Sequence, residues 1–219
     1  MEIKIWDRIK AVCPNITLAC IEARIEVEDS CESLLKDLEV CEKELLDKYV
    51  LEDIAKLPRI KDSREVYKSL GKAPSKYRVS SEALMRRILQ KKGIYKINNI
   101  VEINNLISLK THFSVGSYNL DNLKESIYLT VGGEGESYKG IGKDTINIAN
   151  LPVMSDTKGP FGSPTSDSER AMITKDTKHI MMCIYSFSGE EHVDECLDYG
   201  KKLLEKYANG KDISTKIIK

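Results

Sequence analysis

Two hydrophobic periodicities alternate along the chain and place most of its elements. Ile3 to Ile5 reads as a short strand. Asn15 to Val27, NITLACIEARIEV, concentrates β-branched and apolar residues. Its second half alternates Ala23, Ile25 and Val27 with Arg24, Glu26 and Glu28, which predicts a strand with one buried face. Asp29 or Ser30 then caps a helix to about Lys48. Leu34, Leu35, Leu38, Cys41, Leu45 and Leu46 recur there at helical spacing with acids opposite. Leu51 to Leu57 adds a helical turn that Pro58 ends, and Asp62 or Ser63 opens a short helix stopped after Leu70 by Gly71.

Ser80 is the expected cap of the next helix, with Glu82 in its first turn, where a carboxylate suits the helix dipole. Leu84, Met85, Ile88 and Leu89 make its apolar stripe, and Gly93 ends it. Asn98 or Asn99 begins another helix, whose stripe of Ile100, Val101, Ile103, Leu106 and Ile107 also contains Asn104. A buried amide needs hydrogen-bond partners, so a fixed polar contact is expected at Asn104.

After His112 the texture turns to strands. Ser126 to Val131 is one, Gly132 to Gly135 a tight connection, and Glu136 to Ile141 a returning strand. Val153 and Met154 form a short strand closed by Asp156, and Gly159 to Ser168, GPFGSPTSDS, reads as a loop of turn formers. His179 to Phe187 is nearly continuous in apolar residues, which predicts a strand buried on both faces. A final helix spans about Glu190 to Tyr207, with Val193, Cys196, Leu197, Gly200, Leu203, Leu204 and Tyr207 on one stripe. Helices lead in the first half and strands in the second, so the class is α+β.

Composition adds a charge asymmetry. The 219 residues carry zero formal net charge, which excludes a protein that binds nucleic acid by its overall charge. Yet Glu22 to Asp53 holds twelve acids against four bases, and Lys76 to Lys96 seven bases against Glu82 alone. These runs read either as a face for a polar partner or as two solvated helix faces. The six cysteines form no CxxC pair and only three histidines are present, so zinc-ligand spacing is absent and no cofactor is implied. No apolar h-region opens the chain, and no apolar run approaches the ~18 residues of a membrane span. The cysteines are therefore expected to be reduced core residues in a cytoplasmic protein.

Two stretches carry candidate chemistry. Arg78, Arg86, Arg87 and Lys91 could meet phosphates, or could be a solvated face. In the Gly159–Ser168 loop, glycines let backbone N–H groups approach a ligand, and Ser163, Thr165, Ser166 and Ser168 supply hydroxyls. The loop lacks the Gly-Lys-Ser/Thr ending of a P-loop. The run GGEGESYKGIG lacks a following helix signal and reads as hairpin turns. His112, His179 and His192 suggest no nucleophile set by spacing.

The run SEALMRRILQKKGIYKINNIVEINNLISLK resembles the B3/B4 tRNA-binding, editing-type domain found in the β subunit of bacterial phenylalanyl-tRNA synthetase. Gly93, Ile97, Asn98, Asn99, Ile100, Val101, Glu102 and Asn104 carry the likeness. Downstream it continues through Asp156, Gly159, Gly162, Ser166 and Thr174 or Thr177. The resemblance is strongest over residues 72–187 and closer still to stand-alone B3/B4-domain proteins with GPFGSPTSD-like motifs. It implies a single domain over 1–219, with mixed sheets flanked by helices and the N-terminal strand–helix segment and C-terminal helix packed on it. It implies a pocket lined by Asn98, Asn99, Tyr118, Gly159, Gly162, Ser163, Thr165 and Ser166, with Arg78, Arg86, Arg87 and Lys91 towards RNA. The implied partner is tRNA or aminoacyl-tRNA, and the implied activity hydrolysis of a mischarged aminoacyl-tRNA. The chain is too short for a complete synthetase. The alternatives are a binding protein or hydrolase for an amino-acid-like small molecule, or a non-catalytic interaction module. One departure stands out: Tyr118 aligns with a pocket histidine of the synthetase, and a pocket glutamate is replaced around Pro164.

Overall fold

The computed structural model describes residues 2–219. In chain order its elements are β1 (Glu2–Ile5), α1 (Asp7–Lys10), β2 (Thr17–Arg24), α2 (Glu32–Lys48), α3 (Pro58–Ser69), α4 (Ser80–Leu89) and α5 (Asn99–Thr111). Then come β3 (Ser114–Asn119), β4 (Ser126–Val131), β5 (Ser137–Lys139), β6 (Thr145–Asn147), β7 (Pro152–Asp156), β8 (Gly159–Gly162), β9 (His179–Ser186), α6 (Val193–Tyr207) and β10 (Lys211–Ile218). The class is α+β. One sheet, β10-β2-β9-β3, is antiparallel throughout. The other, β1-β4-β7-β8, is mixed, because β1 runs parallel to β4. β5 and β6 form a separate two-stranded ribbon.

The antiparallel sheet is the middle of three layers. Successive side chains of a strand point to opposite faces, and along β2 and β9 both faces are apolar. Ala19, Ile21, Ile180, Met182 and Ile184 face a core shared with α2, α4, α5 and α6. Leu18, Cys20, Met181, Cys183 and Tyr185 face a second core shared with the mixed sheet. Seven of the eight β9 residues are buried, as its continuous apolar run predicts. Cys20 lies opposite Cys183 with their sulfurs 3.3 Å apart, and all six cysteines are free thiols.

Several elements differ from the sequence-based expectation. β3 and β10 went unpredicted, because SVGSYN and KDISTKII are too polar to announce themselves. β3 is nonetheless wholly buried, since it pairs with β9 and takes α4 and α5 on one face. β10 is an edge strand whose residues are mostly exposed, where polar residues are cheap. α3 starts at Pro58, whose missing N–H and fixed φ suit a first helical position. The strand near residue 137 pairs with β6 rather than returning to β4. Gly159 to Gly162 is strand β8, leaving only residues 163–168 as loop. Gly159, at φ +117, makes the reversal between β7 and β8.

The helical layer is fastened by the paired asparagines. The Asn98 side chain accepts the N–H of Val101 at 3.0 Å and caps α5. Asn99 is 3% exposed. Its Nδ2 donates to the carbonyls of Glu26 at 2.8 Å and Tyr207 at 3.0 Å, and its Oδ1 accepts the N–H of Glu28 at 3.1 Å. One amide thus joins the start of α5 to the segment after β2 and to the end of α6. Asn104 is half-buried and accepts the Ser117 hydroxyl at 2.8 Å, which supplies the polar contact expected for it.

Because the buried Asn99 amide bonds three backbone groups, one of them in a fully buried bond, Asn99→Ala should cost about 1–3 kcal/mol, each orphaned group costing roughly 1 kcal/mol or more. Asn99→Asp should cost as much, since it presents an acceptor to two carbonyls. Urea unfolding measures both, and a loss under 1 kcal/mol for either would refute the fastening role.

Candidate functional site

The loop of residues 163–168 closes over a buried polar network. Tyr118 on β3 and Tyr185 on β9 project from adjacent strands into the second core, and their hydroxyls lie 2.7 Å apart. Tyr118 donates to Asp167 Oδ1 at 3.0 Å, and the same oxygen accepts the N–H of Ser163 at 3.2 Å. Burial pushes the Asp167 carboxyl up to about 6, against the lowering effect of the Tyr118 hydrogen bond. Burial, reinforced by Asp167, holds the Tyr118 phenol well above its ordinary range, so it stays a donor at neutral pH.

The loop's own polar groups are largely spent on its shape. The Ser163 hydroxyl donates to the Ser166 carbonyl at 2.7 Å and accepts the N–H groups of Thr165 and Ser166. Tyr67 on α3 bonds Thr165 Oγ1 at 2.8 Å, Tyr138 on β5 donates to the Ser166 carbonyl, and Lys143 donates to the Ser166 hydroxyl at 3.1 Å. Thr165 and Ser166 remain half-buried and reachable.

The hollow beneath the loop is filled by Tyr118, which has no exposed surface. A Cβ on Gly162 would stand 2.4 Å from the Tyr118 ring, and one on Gly116 2.5 Å from its hydroxyl. The ring also meets Phe161 edge-on at 5.0 Å between centroids. Clefts lie elsewhere. One of about 460 Å³ involves Glu22, Lys124 and His179, and one of about 600 Å³ runs along β1 beside Trp6.

Of the expected pocket residues, Tyr118, Gly162, Ser163, Thr165 and Ser166 gather here, with Gly159 at the far end of β8. Asn98 and Asn99 do not join them. They sit at the start of α5 on the opposite face of the antiparallel sheet, with their amides committed to backbone groups. Their capping chemistry is what placed them there. The expected basic residues divide as well. Arg78 and Arg86 turn to Glu82. Arg87 stacks over Tyr95, 4.1 Å from the ring centroid, and donates to the Gly93 carbonyl. Lys91 is exposed just past the end of α4. The three histidines stay apart: His112 at the end of α5, His179 3.0 Å from Glu22, and His192 3.2 Å from Glu195.

Asp167, Tyr185, Tyr67 and Tyr138 escaped sequence reasoning. Asp167 sits among turn formers, and Tyr185 within an apolar strand that reads as plain core. Only strand pairing brings them together. Asp156 closes β7 as the pattern suggests, and it is fully buried. Burial would raise its pKa, but two Arg170 contacts at 2.9 and 3.0 Å and the N–H groups of Lys124 and Lys158 bring it below the usual carboxylate range.

The sequence profile described as "B3/4 domain" matches residues 62–208. No curated protein matches the chain. Among solved structures, the chain is similar to an N-terminal fragment of the phenylalanyl-tRNA synthetase β-subunit from Pyrococcus horikoshii, at 16% identity and a TM-score of 0.49. That alignment covers 99% of this chain and 50% of the fragment, so the chain spans about half of the fragment's length.

Two outcomes follow from the packing of Tyr118 and Asp167. Gly162→Ala should destabilise by about 1–3 kcal/mol through overpacking. Combining it with Tyr118→Leu should cost less than the sum of the two single changes, as a double-mutant cycle would measure; additive costs would place the ring elsewhere. The second outcome concerns pH. The folded carboxyl at about 6 lies above an unfolded aspartate at about 3.9, so the folded state binds the proton more tightly. Its stabilising contribution is complete below pH about 4 and is lost as pH rises to about 6. Asp167→Asn should therefore flatten that part of the stability–pH curve by on the order of 2 kcal/mol. An unchanged slope in urea unfolding would contradict the assignment.

Proposed function

Because the chain belongs to the B3/4 domain family, we propose that it is a tRNA-binding domain of the editing type whose hydrolytic hollow is closed by its own Tyr118. In this reading residues 2–219 act as one unit, since β1, β2 and β10, outside the matched span, complete both large sheets. The observation that carries the proposal is the fully buried Tyr118 ring between Gly116 and Gly162, with its hydroxyl held by Asp167 and Tyr185. An aminoacyl group cannot enter that volume while the ring occupies it.

The RNA end then rests on the outer side of the loop. Thr165 and Ser166 offer hydroxyls there, and the rigid internal bonds of Ser163 fix their positions. Preorganised contacts of this kind lower the ordering cost of binding. Phosphate contacts would add affinity without reading sequence.

A second reading, deacylation, is favoured by Asp167. A carboxyl with a pKa of about 6 suits a general base near neutrality, and displacement of Tyr118 would free it to activate a water.

A panel of aminoacyl-tRNAs separates these readings. The wild-type chain should bind tRNA at low salt and leave the ester bond to hydrolyse at its spontaneous rate. Catalysed hydrolysis by the wild type would sink the closed-hollow reading in favour of the second. Failure to bind any tRNA at low salt would sink both.

A further inference from the structure

Three guanidinium groups converge on one buried carboxylate. The Glu82 side chain has no exposed surface. Arg64 Nη1 reaches its two oxygens at 2.9 and 3.1 Å, and Arg86 Nε reaches Oε1 at 2.9 Å. Arg78 Nε stands 3.7 Å from the same oxygen. Three positive charges against one negative leave a surplus of two. Neutralising a buried carboxylate requires no such surplus. Asp156 lies equally buried and is served by one arginine, Arg170, with the Lys124 and Lys158 N–H groups beside it.

The surplus is accessible and incompletely bonded. The Arg64, Arg78 and Arg86 side chains are 28%, 39% and 27% exposed. Arg78 Nε is itself buried, yet among the described residues no atom accepts its hydrogen, and the Ser80 hydroxyl, two residues on, is likewise buried without a partner among them. Buried polar groups are normally paired, and these two are not, so the cluster's bonding is incomplete on the side where the guanidinium groups meet solvent. The cluster also adjoins the loop. The Ser80 N–H donates to the Pro164 carbonyl at 2.7 Å, and Tyr67, one turn after Arg64, bonds Thr165.

We infer that Arg64, Arg78 and Arg86 form an anion site for a phosphate group, occupied by a backbone phosphate of the RNA bound along the loop. This rests on the tRNA reading above. Guanidinium groups present planar forks that match phosphate oxygens in pairs. Glu82 cannot compete for that role. It holds the guanidiniums from the inner side and fixes their spacing, while their outer N–H groups face solvent. Arg78 is the central contact, because its side chain is the most exposed of the three and stands farthest from Glu82. The net positive charge makes the contact electrostatic and therefore sensitive to salt.

The test uses the full chain and two probes, tRNA over a salt series and inorganic phosphate at constant ionic strength. The wild type should bind tRNA, and Arg78→Ala should weaken it about tenfold and lower the log–log salt slope by about one. Lys202→Ala, at an exposed position of α6, should change neither. Phosphate should raise the melting temperature of the wild type and not that of Arg78→Ala. Arg78→Lys keeps the charge without the fork and should weaken tRNA about threefold, which answers the question if Arg78→Ala fails to fold. Equal tRNA affinity and slope in wild type and both variants would overturn this inference and leave the tRNA reading standing. No tRNA binding, with phosphate stabilisation lost in the variants, would overturn the tRNA reading and support an anion site for free phosphate. No phosphate response together with unchanged tRNA binding would make the cluster purely structural.

Discussion

Strand β9 leaves no face for water. Its seven buried residues alternate between two separate cores, so both faces of the antiparallel sheet must be covered. Hydrophobic burial is the dominant favourable term in folding, and a sheet apolar on both sides is stable only inside a layered structure. The helices cover one face and the mixed sheet the other. Each remaining feature takes its place from that division. Tyr118 reaches the loop, and Tyr185 reaches Tyr118, because their parity on β3 and β9 sends both to the mixed-sheet side. Asn99 fastens helices because α5 lies on the opposite side.

The two sides handle polarity differently. On the helical side, Asn99 and Glu102 have their bonds met, Glu102 accepting both Ser30 Oγ and the Ile97 N–H. Such groups specify how elements meet. Beneath the loop, the bonding is equally dense but includes a titratable carboxyl held near neutrality. A protein gains little stability from burying a charge that can be protonated. Perturbed groups of this sort gather at functional sites.

The buried carboxylates repeat the contrast. Asp156 and Arg170 form a balanced pair supplemented by backbone N–H groups, and they hold the β7–β8 hairpin in register. Glu82 has three arginines, and its surplus faces solvent beside the loop. Identical chemistry serves architecture in one place and presents charge in the other. The difference lies in the count of partners and in which groups stay unmet.

The sequence by itself determined the helices α2, α4, α5 and α6, the strands β2, β4, β7 and β9, and the α+β class. Each of these elements carries its own periodicity or capping residue, and such signals are local. Resemblance to a family also grouped Tyr118 with the loop, and the ring does pack against Gly162 and bond Asp167. The sequence did not disclose β3 or β10, whose burial or pairing comes from neighbours far along the chain. Nor could it separate Asn98 and Asn99 from the loop, because strand parity and sheet face are settled only when distant strands pair. Tyr118 with Asp167, and Arg64 with Glu82, meet for the same reason. Hydrogen bonds between residues 49 and 18 positions apart have no local signature, and only the tertiary structure decides them.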